Sequence, residues 1–196
     1  MSQAILSLDI ETGGCLSTHP LISIGTCLYV DNIFVKNRFT FPFSITDFEP
    51  RCKKFWDANL DVLAELQKDK HSSISEFAEF LDEIDALYPD LTIITDNPTF
   101  DVGFINHHFE KTLDRNPISY RLNSDNDYRC ILCLETFAYS LTIKQDKNNL
   151  FKNTSYGKLI EKYKIKVSKR TCHMPDDDAQ YNLELFLEFK NELSKE

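Results

Sequence analysis

The 196-residue sequence predicts one α/β domain with a mixed β-sheet flanked by helices. Three observations support this class: short apolar runs typical of strands come first, amphipathic helical patterns follow, and another buried strand, "LTIIT" at 91–95, lies between helices. The chain has no internal repeat and no Pro/Gly-rich linker. One domain spanning residues 1–196 is therefore expected.

The first forty residues predict a meander of three strands. Residues 4–10 form a continuous apolar run, which suits a central strand. "LISIGTCLYV" at 21–30 and "IFVKNRFTF" at 33–41 predict two more strands, joined by a tight turn at Asp31 and Asn32.

Helical patterns dominate the rest of the chain. Residues 56–66 carry apolar side chains at helical spacing, and Ser73 with Glu76 matches a capping box. Asn97 is a good N-cap and Pro98 suits the first helical position, so a helix is expected to begin near residue 98. Further on, "YRCILCLETFAYSL" has a strand-like start and a helical end, and helices are expected over about 156–163 and 177–193.

The composition of the chain indicates its cellular compartment and its class of protein. The chain is 42% hydrophobic and 27% charged, which is typical of a packed soluble domain. No apolar run approaches the roughly 20 residues of a spanning helix, and no signal peptide is recognisable. The six cysteines fit reduced thiols better than a disulfide framework. We therefore expect a cytoplasmic protein with no membrane partner.

The net charge of −9 conceals a strongly basic segment. Between Lys144 and Arg170 there are nine basic residues and only two acidic ones, a local excess of +7. Such a segment can bind phosphates, because association depends on the local field. A solvated lysine-rich surface is the alternative interpretation.

Acidic residues occur where predicted elements begin or end. Asp9 and Glu11 are two residues apart at the end of the first strand, so they share one face. Asp101 falls in the first turn of the helix after the 91–95 strand, and the triplet at 176–178 lies close to His173. Neighbouring carboxylates that lose hydration require a cation, a donor network or open solvent.

The residue types in this pattern suit divalent-metal chemistry. Four carboxylates can hold two hard cations, Mg²⁺ or Mn²⁺, through oxygen ligands. Two such ions can activate a water and stabilise a leaving oxygen in phosphoryl transfer, while a histidine takes up the proton. The sequence therefore predicts a metal-dependent phosphoryl-transfer site.

These motifs resemble those of the DEDDh exonucleases. The matching segments are "DIET" with Asp9 and Glu11, "NPTFD" ending at Asp101, and His173 followed five positions later by Asp178. The motifs occur in the family's order and span nearly the whole chain. The resemblance implies a ribonuclease H-like fold, two metal ions, and stepwise removal of nucleotides from the 3′ ends of DNA or RNA.

The resemblance assigns a role to each matching residue. It makes His173 the general base, and it implies that Thr12, Gly13 and Asn97 contact the substrate, the first two through the backbone after the first motif. Phe104, one turn beyond Asp101, offers a ring that can stack on a terminal base, with core packing as the alternative. The metal ligands that the resemblance implies are Asp9, Glu11, Asp101 and Asp178.

Some assignments remain open at this point. Asp176 and Asp177 can instead be ligands or helix-capping acids, and only the spacing from His173 favours Asp178. Cys130 and Cys133 form a CxxC pattern without a second pair, which favours core packing over zinc. Trp56 is expected to pack in the core rather than to stack on a base.

Within the family, the chain is most similar to the compact phage exodeoxyribonuclease A type and the related mycobacterial exoribonuclease. This finer resemblance depends on "FW" at Phe55 and Trp56, on "YPDLTIITDNPTFD" and on "GKLIEKYKI". It implies single-stranded 3′ ends as substrate and allows a homodimer. A non-catalytic nucleic-acid-binding module, such as a proofreading-type accessory subunit, is the alternative function.

Overall fold

The computed structural model describes residues 4–114, 118, 131–145 and 155–195. In this part of the chain, strands and helices follow one another as the sequence predicts. The strands are β1 (Ile5–Thr12), β2 (Leu21–Val30), β3 (Ile33–Thr40), β4 (Thr92–Thr95) and β5 (Ile131–Cys133). The helices are α1 (Pro50–Asp57), α2 (Leu60–Lys68), α3 (Ile74–Leu87), α4 (Pro98–Leu113), α5 (Leu134–Gln145), α6 (Tyr156–Tyr163) and α7 (Pro175–Ser194).

The five described strands form one sheet in the order β3-β2-β1-β4-β5. β1 pairs antiparallel with β2 and parallel with β4, and β4 pairs parallel with β5. The sheet is therefore mixed, as predicted, and β1 is its central strand. In the β1–β2 register Asp9 lies opposite Gly25, and the register shifts between Glu11 and Thr12.

The two faces of β1 pack against different layers. Leu6, Leu8 and Ile10 belong to the core cluster that contains α3 and α4 side chains. Ile5 belongs to the cluster formed with α5 and α7 on the opposite face. Because side chains alternate along a strand, Asp9 lies on the α7 face with Ile5.

Local capping signals are confirmed in detail. Ser73 and Glu76 form both bonds of the capping box at the start of α3. The turn between β2 and β3 has Asp31 and Asn32 in the left-handed region, at φ 51° and 65°. Two short polar residues tolerate that conformation well, which explains the tight connection.

The helical pattern over residues 56–66 is interrupted. Ala58 and Asn59 donate their N–H groups to Phe55 and Trp56, three residues earlier, and the Asn59 side chain also donates to the Phe55 carbonyl. This competition with the helical backbone ends α1 and lets α2 begin at Leu60. Leu60 is 60% exposed as a result, whereas the spacing had placed it on the apolar face.

Two further findings concern the cysteines and the helices of the described ranges. Cys15, Cys27, Cys52, Cys133 and Cys172 are free thiols there; Cys130 lies outside those ranges. None of the described helices is both long enough and apolar enough to cross a bilayer.

Candidate functional site

The end of β1 is anchored firmly by α1. The Trp56 indole and the Cys52 thiol donate to the Thr12 carbonyl, over 3.0 and 3.2 Å, and Trp56 is buried as expected. The Gly13 N–H donates to the Pro20 carbonyl over 2.8 Å. These bonds fix the backbone that follows Glu11. A nucleotide could contact the Gly13 N–H only if the bond to Pro20 were broken, and the substrate contact of Thr12 stays a prediction.

Asp101 is held at the start of α4. It is only 5% exposed, and its Oδ2 accepts from the Thr95 hydroxyl and from the Asn97 N–H, the latter at 3.2 Å. The Asn97 side chain accepts from the Phe100 N–H, so the predicted N-cap is present. Asn97 is itself exposed, and its contact with a substrate stays a prediction. The end of β4 and the start of α4 thus orient one carboxylate.

The loop before α7 carries the predicted base. His173 has a left-handed backbone, at φ 67°, and its N–H donates to Asp178 Oδ2 over 2.8 Å. Arg170 forms an ion pair with Asp178 Oδ1, and the Thr171 N–H donates to Asp177 at 2.9 Å. The first turn of α7 therefore holds the His173 loop at three points.

The three acidic side chains at the start of α7 point in two different directions. Asp176 bonds to the Arg38 guanidinium at 2.8 Å, and Asp177 forms an ion pair with Lys36. Both basic residues belong to β3, the edge strand. Asp178 instead lies with Glu11 and His173, which favours it over its neighbours as the ligand at this position.

Glu11, His173 and Asp178 can offer ligand atoms that all lie within 4.8 Å of one another. The His173 Nδ1 atom is 3.9 Å from Glu11 Oε1. Burial raises the pKa of Asp9 well above its usual range, and the neighbouring Glu11, Asp101 and Asp178 raise it further. Asp9 therefore interacts electrostatically with carboxylates from β1, α4 and α7. Among the described residues, the group with ligand atoms within 4.8 Å includes neither Asp9 nor Asp101, so their roles as metal ligands stay predictions.

The remaining carboxylates are perturbed in the same direction. Burial, followed by Asp178 and Asp101, raises the pKa of Glu11 well above normal. Burial raises the pKa of Asp101 to about 6, although its bonds to Thr95 and Asn97 oppose the shift. Burial also raises the pKa of Asp178 despite the Arg170 cation beside it. The negative charge of these carboxylates is not fully compensated by nearby cations. Hard divalent cations, which prefer oxygen ligands, therefore fit this group.

The raised pKa values predict that the metal-free protein becomes more stable as the pH falls from 7.5 to about 5. At these pH values the folded state binds more protons than the unfolded state, so its free energy of unfolding decreases as the pH rises. Over this pH range the Asp101 carboxyl alone accounts for on the order of 1 kcal/mol, because it becomes protonated in the folded state as the pH falls through about 6. Thermal melts in EDTA across this range measure the effect.

The matched control for these melts is Asp101→Asn. Burial lowers the pKa of His108, and protonation of that ring opposes the trend equally in both proteins. The difference between wild type and Asp101→Asn therefore isolates the carboxyl contribution. A difference that stays constant with pH would contradict the prediction.

The stacking role predicted for Phe104 is contradicted by its burial. Phe104 is 2% exposed and packs in the core, with its ring centroid 4.9 Å from that of Phe100. The aromatic ring beside the site is Phe55, which is 38% exposed and meets the His173 ring edge-on at 4.8 Å. Adjacent residues on a helix point in different directions, so Trp56 enters the core while Phe55 stays at the surface. The "FW" pair was the signal in the sequence for an exposed ring beside a buried one.

Sequence reasoning also missed Asp96, between β4 and Asn97. Its charge raises the pKa of both Asp9 and Asp101. The Tyr156 hydroxyl donates to Asp96 Oδ1, and the Cys133 thiol donates to its carbonyl at 3.4 Å. Asp96 therefore links the start of α6 to the edge of the site. Its position directly after a short buried strand was the available signal.

Part of the predicted basic segment is exposed beyond the site. Residues 146–154 lie outside the described ranges. Lysines on α6 and on the chain that leads to Arg170 present an exposed basic surface: Lys158, Lys162, Lys164, Lys166 and Lys169. This arrangement is compatible with both interpretations of the segment, phosphate binding and solvation.

The chain is similar to known nucleases in sequence pattern and in fold. The family model RNase_T, described as "Exonuclease", matches residues 6–186. No curated protein matches the chain. Two solved structures resemble the fold with TM-scores of 0.62 and 0.55: cell-death related nuclease 4 and the RNase domain of the yeast Pop2 protein.

The structural likeness extends over nearly the whole chain at low sequence identity. For cell-death related nuclease 4 the identity is 14%, and the match covers 98% of this chain but 64% of that one. For the Pop2 RNase domain the identity is 17%, with 97% of this chain and 76% of that one covered. These likenesses confirm the predicted ribonuclease H-like fold.

Proposed function

Because the chain belongs to the RNase T exonuclease family, we propose that it removes nucleotides one at a time from the 3′ ends of single-stranded DNA or RNA with two divalent cations. The products are nucleoside 5′-monophosphates. The observation that carries this proposal is that Glu11, His173 and Asp178 can offer ligand atoms within 4.8 Å of one another, while the charges of Asp9 and Asp101 act on the same carboxylates. Family membership supports the reaction class, a nuclease-type hydrolysis.

The residues that would hold the cations are Asp9, Glu11, Asp101 and Asp178. Bound Mg²⁺ or Mn²⁺ supplies a more acidic water and charge compensation for the leaving oxygen. The carboxylates are preorganised because β1 is anchored by Trp56 and Asp101 is bonded to Thr95. Little reorganisation is then needed when substrate arrives.

His173 would accept the proton from the attacking water. Its side chain is 39% exposed, so it can reach both solvent and the carboxylates. His173 Nδ1 lies 3.9 Å from Glu11 Oε1, and we assign Nε2 as the nitrogen that takes up the proton. The Phe55 ring packs against the imidazole, and the His173 backbone N–H, which donates to Asp178, fixes the loop that carries it.

The exposed lysines on and after α6 would bind the phosphates of the strand that enters the site. This assignment gives the basic segment a role that its charge supports. It also predicts weaker activity at high salt, because the release of counterions from the phosphates favours binding less when the salt concentration is high. The similarity to the phage exodeoxyribonuclease A type, through "FW" and "GKLIEKYKI", favours a compact enzyme, with a homodimer as one possible assembly.

The test is a time course on 5′-labelled single-stranded RNA and DNA of one sequence, with Mn²⁺, Mg²⁺ or EDTA. We expect a metal-dependent ladder that shortens from the 3′ end and shows which sugar is preferred. His173→Ala should lower the rate by about 10²-fold or more, because a general base is lost. His107→Ala, on α4, is the matched control and should cleave normally.

Three outcomes would contradict parts of the proposal. Full-length substrate in every lane, with binding retained, would favour a non-catalytic accessory subunit. Cleavage of a circular single strand would show internal attack. Near-normal rates for both histidine variants would exclude His173 as the base.

A further inference from the structure

Arg170 is the one cation among the described residues that bonds directly to a proposed metal ligand. It forms an ion pair with Asp178 Oδ1. The Asp178 side chain is 10% exposed and that of Arg170 is 32% exposed. A charge pair this sheltered is screened far less than a surface pair. The role inferred for Arg170 rests on the proposed function, since it concerns the same site.

The guanidinium is fixed by a second contact. Its central carbon lies 3.8 Å from the centroid of the Tyr181 ring. Tyr181 is three residues after Asp178 on α7, so the ring and the carboxylate lie on the same side of the helix. Arg170 is thus held by a cation–π contact and an ion pair together.

Asp178 is also oriented by contacts that do not involve Arg170. Its other oxygen accepts from the His173 backbone N–H at 2.8 Å, and its own backbone N–H donates at 2.9 Å to the carbonyl of Met174, the residue that caps α7. α7 packs against β1 and β2, which fixes the start of the helix. The main effect of Arg170 on the site is therefore its charge, not the placement of the carboxylate.

We propose that Arg170 is a built-in counter-cation that shares Asp178 with a bound divalent ion and weakens the affinity of the site for that ion. In the metal-free protein its positive charge offsets part of the repulsion among Asp9, Glu11 and Asp178. When the ion binds, the same charge repels it. Arg170 thus sets the metal concentration that the enzyme requires.

Titration calorimetry with MnCl₂ on the metal-free protein, without nucleic acid, tests the proposal. Arg170→Gln removes the charge and should bind Mn²⁺ roughly three- to ten-fold more tightly. Arg170→Lys keeps the charge and should stay within about two-fold of wild type. Melts in EDTA should show Arg170→Gln as less stable than wild type, and MnCl₂ should raise its melting temperature by more.

Arg38→Gln is the matched control. Arg38 bonds to Asp176 on the same turn of α7, but that carboxylate faces β3 and not the metal site. The control should lose stability while its Mn²⁺ affinity stays near wild type. If Arg170→Gln does not fold, Tyr181→Leu loosens the guanidinium and should tighten Mn²⁺ binding in the same direction.

The outcomes separate this inference from the proposed function. Wild-type protein that binds no Mn²⁺ would overturn both. If wild type binds Mn²⁺ and Arg170→Gln binds it equally or more weakly, only the counter-cation role is overturned. Equal tightening in the Gln and Lys variants would also overturn it, because geometry and not charge would then set the affinity.

Discussion

Asp9→Asn is expected to abolish exonuclease activity and to make the metal-free protein more stable. Asp9 is the carboxylate whose pKa is raised by burial together with four acidic neighbours. An amide of the same shape removes one charge from that cluster and relieves the repulsion. It is also a much poorer ligand for Mg²⁺ or Mn²⁺ than a carboxylate. The same charge therefore limits stability and enables the proposed chemistry, as functional sites commonly do.

The activity should fall by at least about 10³-fold, and the melting temperature in EDTA should rise by about 3 °C. Nuclease assays with Mn²⁺ and thermal melts in EDTA measure the two effects on one preparation. Asp61→Asn, at an exposed position on α2, is the matched control and should change neither quantity appreciably. A variant at Asp9 that keeps a tenth of wild-type activity, or that melts earlier in EDTA, would contradict the prediction.

Features that depend on neighbours in sequence were predicted well. The strand that ends in Asp9 and Glu11, the capping box at Ser73 and the N-cap at Asn97 are each specified within a few residues. The alternation of a strand is also enough to place Asp9 and Glu11 on one face. Interactions between residues close in sequence therefore determine most of the helices and strands. They also determine the relative placement of Asp9 and Glu11, two of the four predicted metal ligands.

Features that depend on distant contacts were not predictable. The direction of Asp176 is set by Arg38, 138 positions away, and nothing near the triplet indicates this pairing. Phe104 has the spacing of a residue one turn beyond Asp101, but the packing of α4 against the sheet buries its ring. The helix ends after Asp57 because the Asn59 side chain donates to the Phe55 carbonyl. One polar residue within an apolar helical pattern does not by itself indicate that the helix ends there.

The position of α7 against β2 also depends on a glycine that is distant in sequence, Gly25. We expect Gly25→Ala to disrupt both the fold and the site. A Cβ atom built on Gly25 would lie 1.9 Å from the Pro175 carbonyl carbon and 2.2 Å from the Asp176 nitrogen. Both are backbone atoms at the start of α7, so no side-chain rotation can relieve the clash. The helix would have to move away from β2, and His173 and Asp178 would move with it.

We expect Gly25→Ala to lose roughly 3 kcal/mol or more of unfolding free energy and nearly all activity. Urea denaturation and the labelled-strand assay measure these losses. Gly103→Ala is the matched control, because a Cβ at Gly103 on α4 meets no atom within 4 Å. Alanine is favoured over glycine in a helix by up to about 1 kcal/mol, so this control should be neutral or stabilising. A Gly25→Ala variant as stable and active as wild type would contradict the prediction. It would show that the close contact between β2 and the start of α7 does not determine where Asp178 lies relative to Glu11.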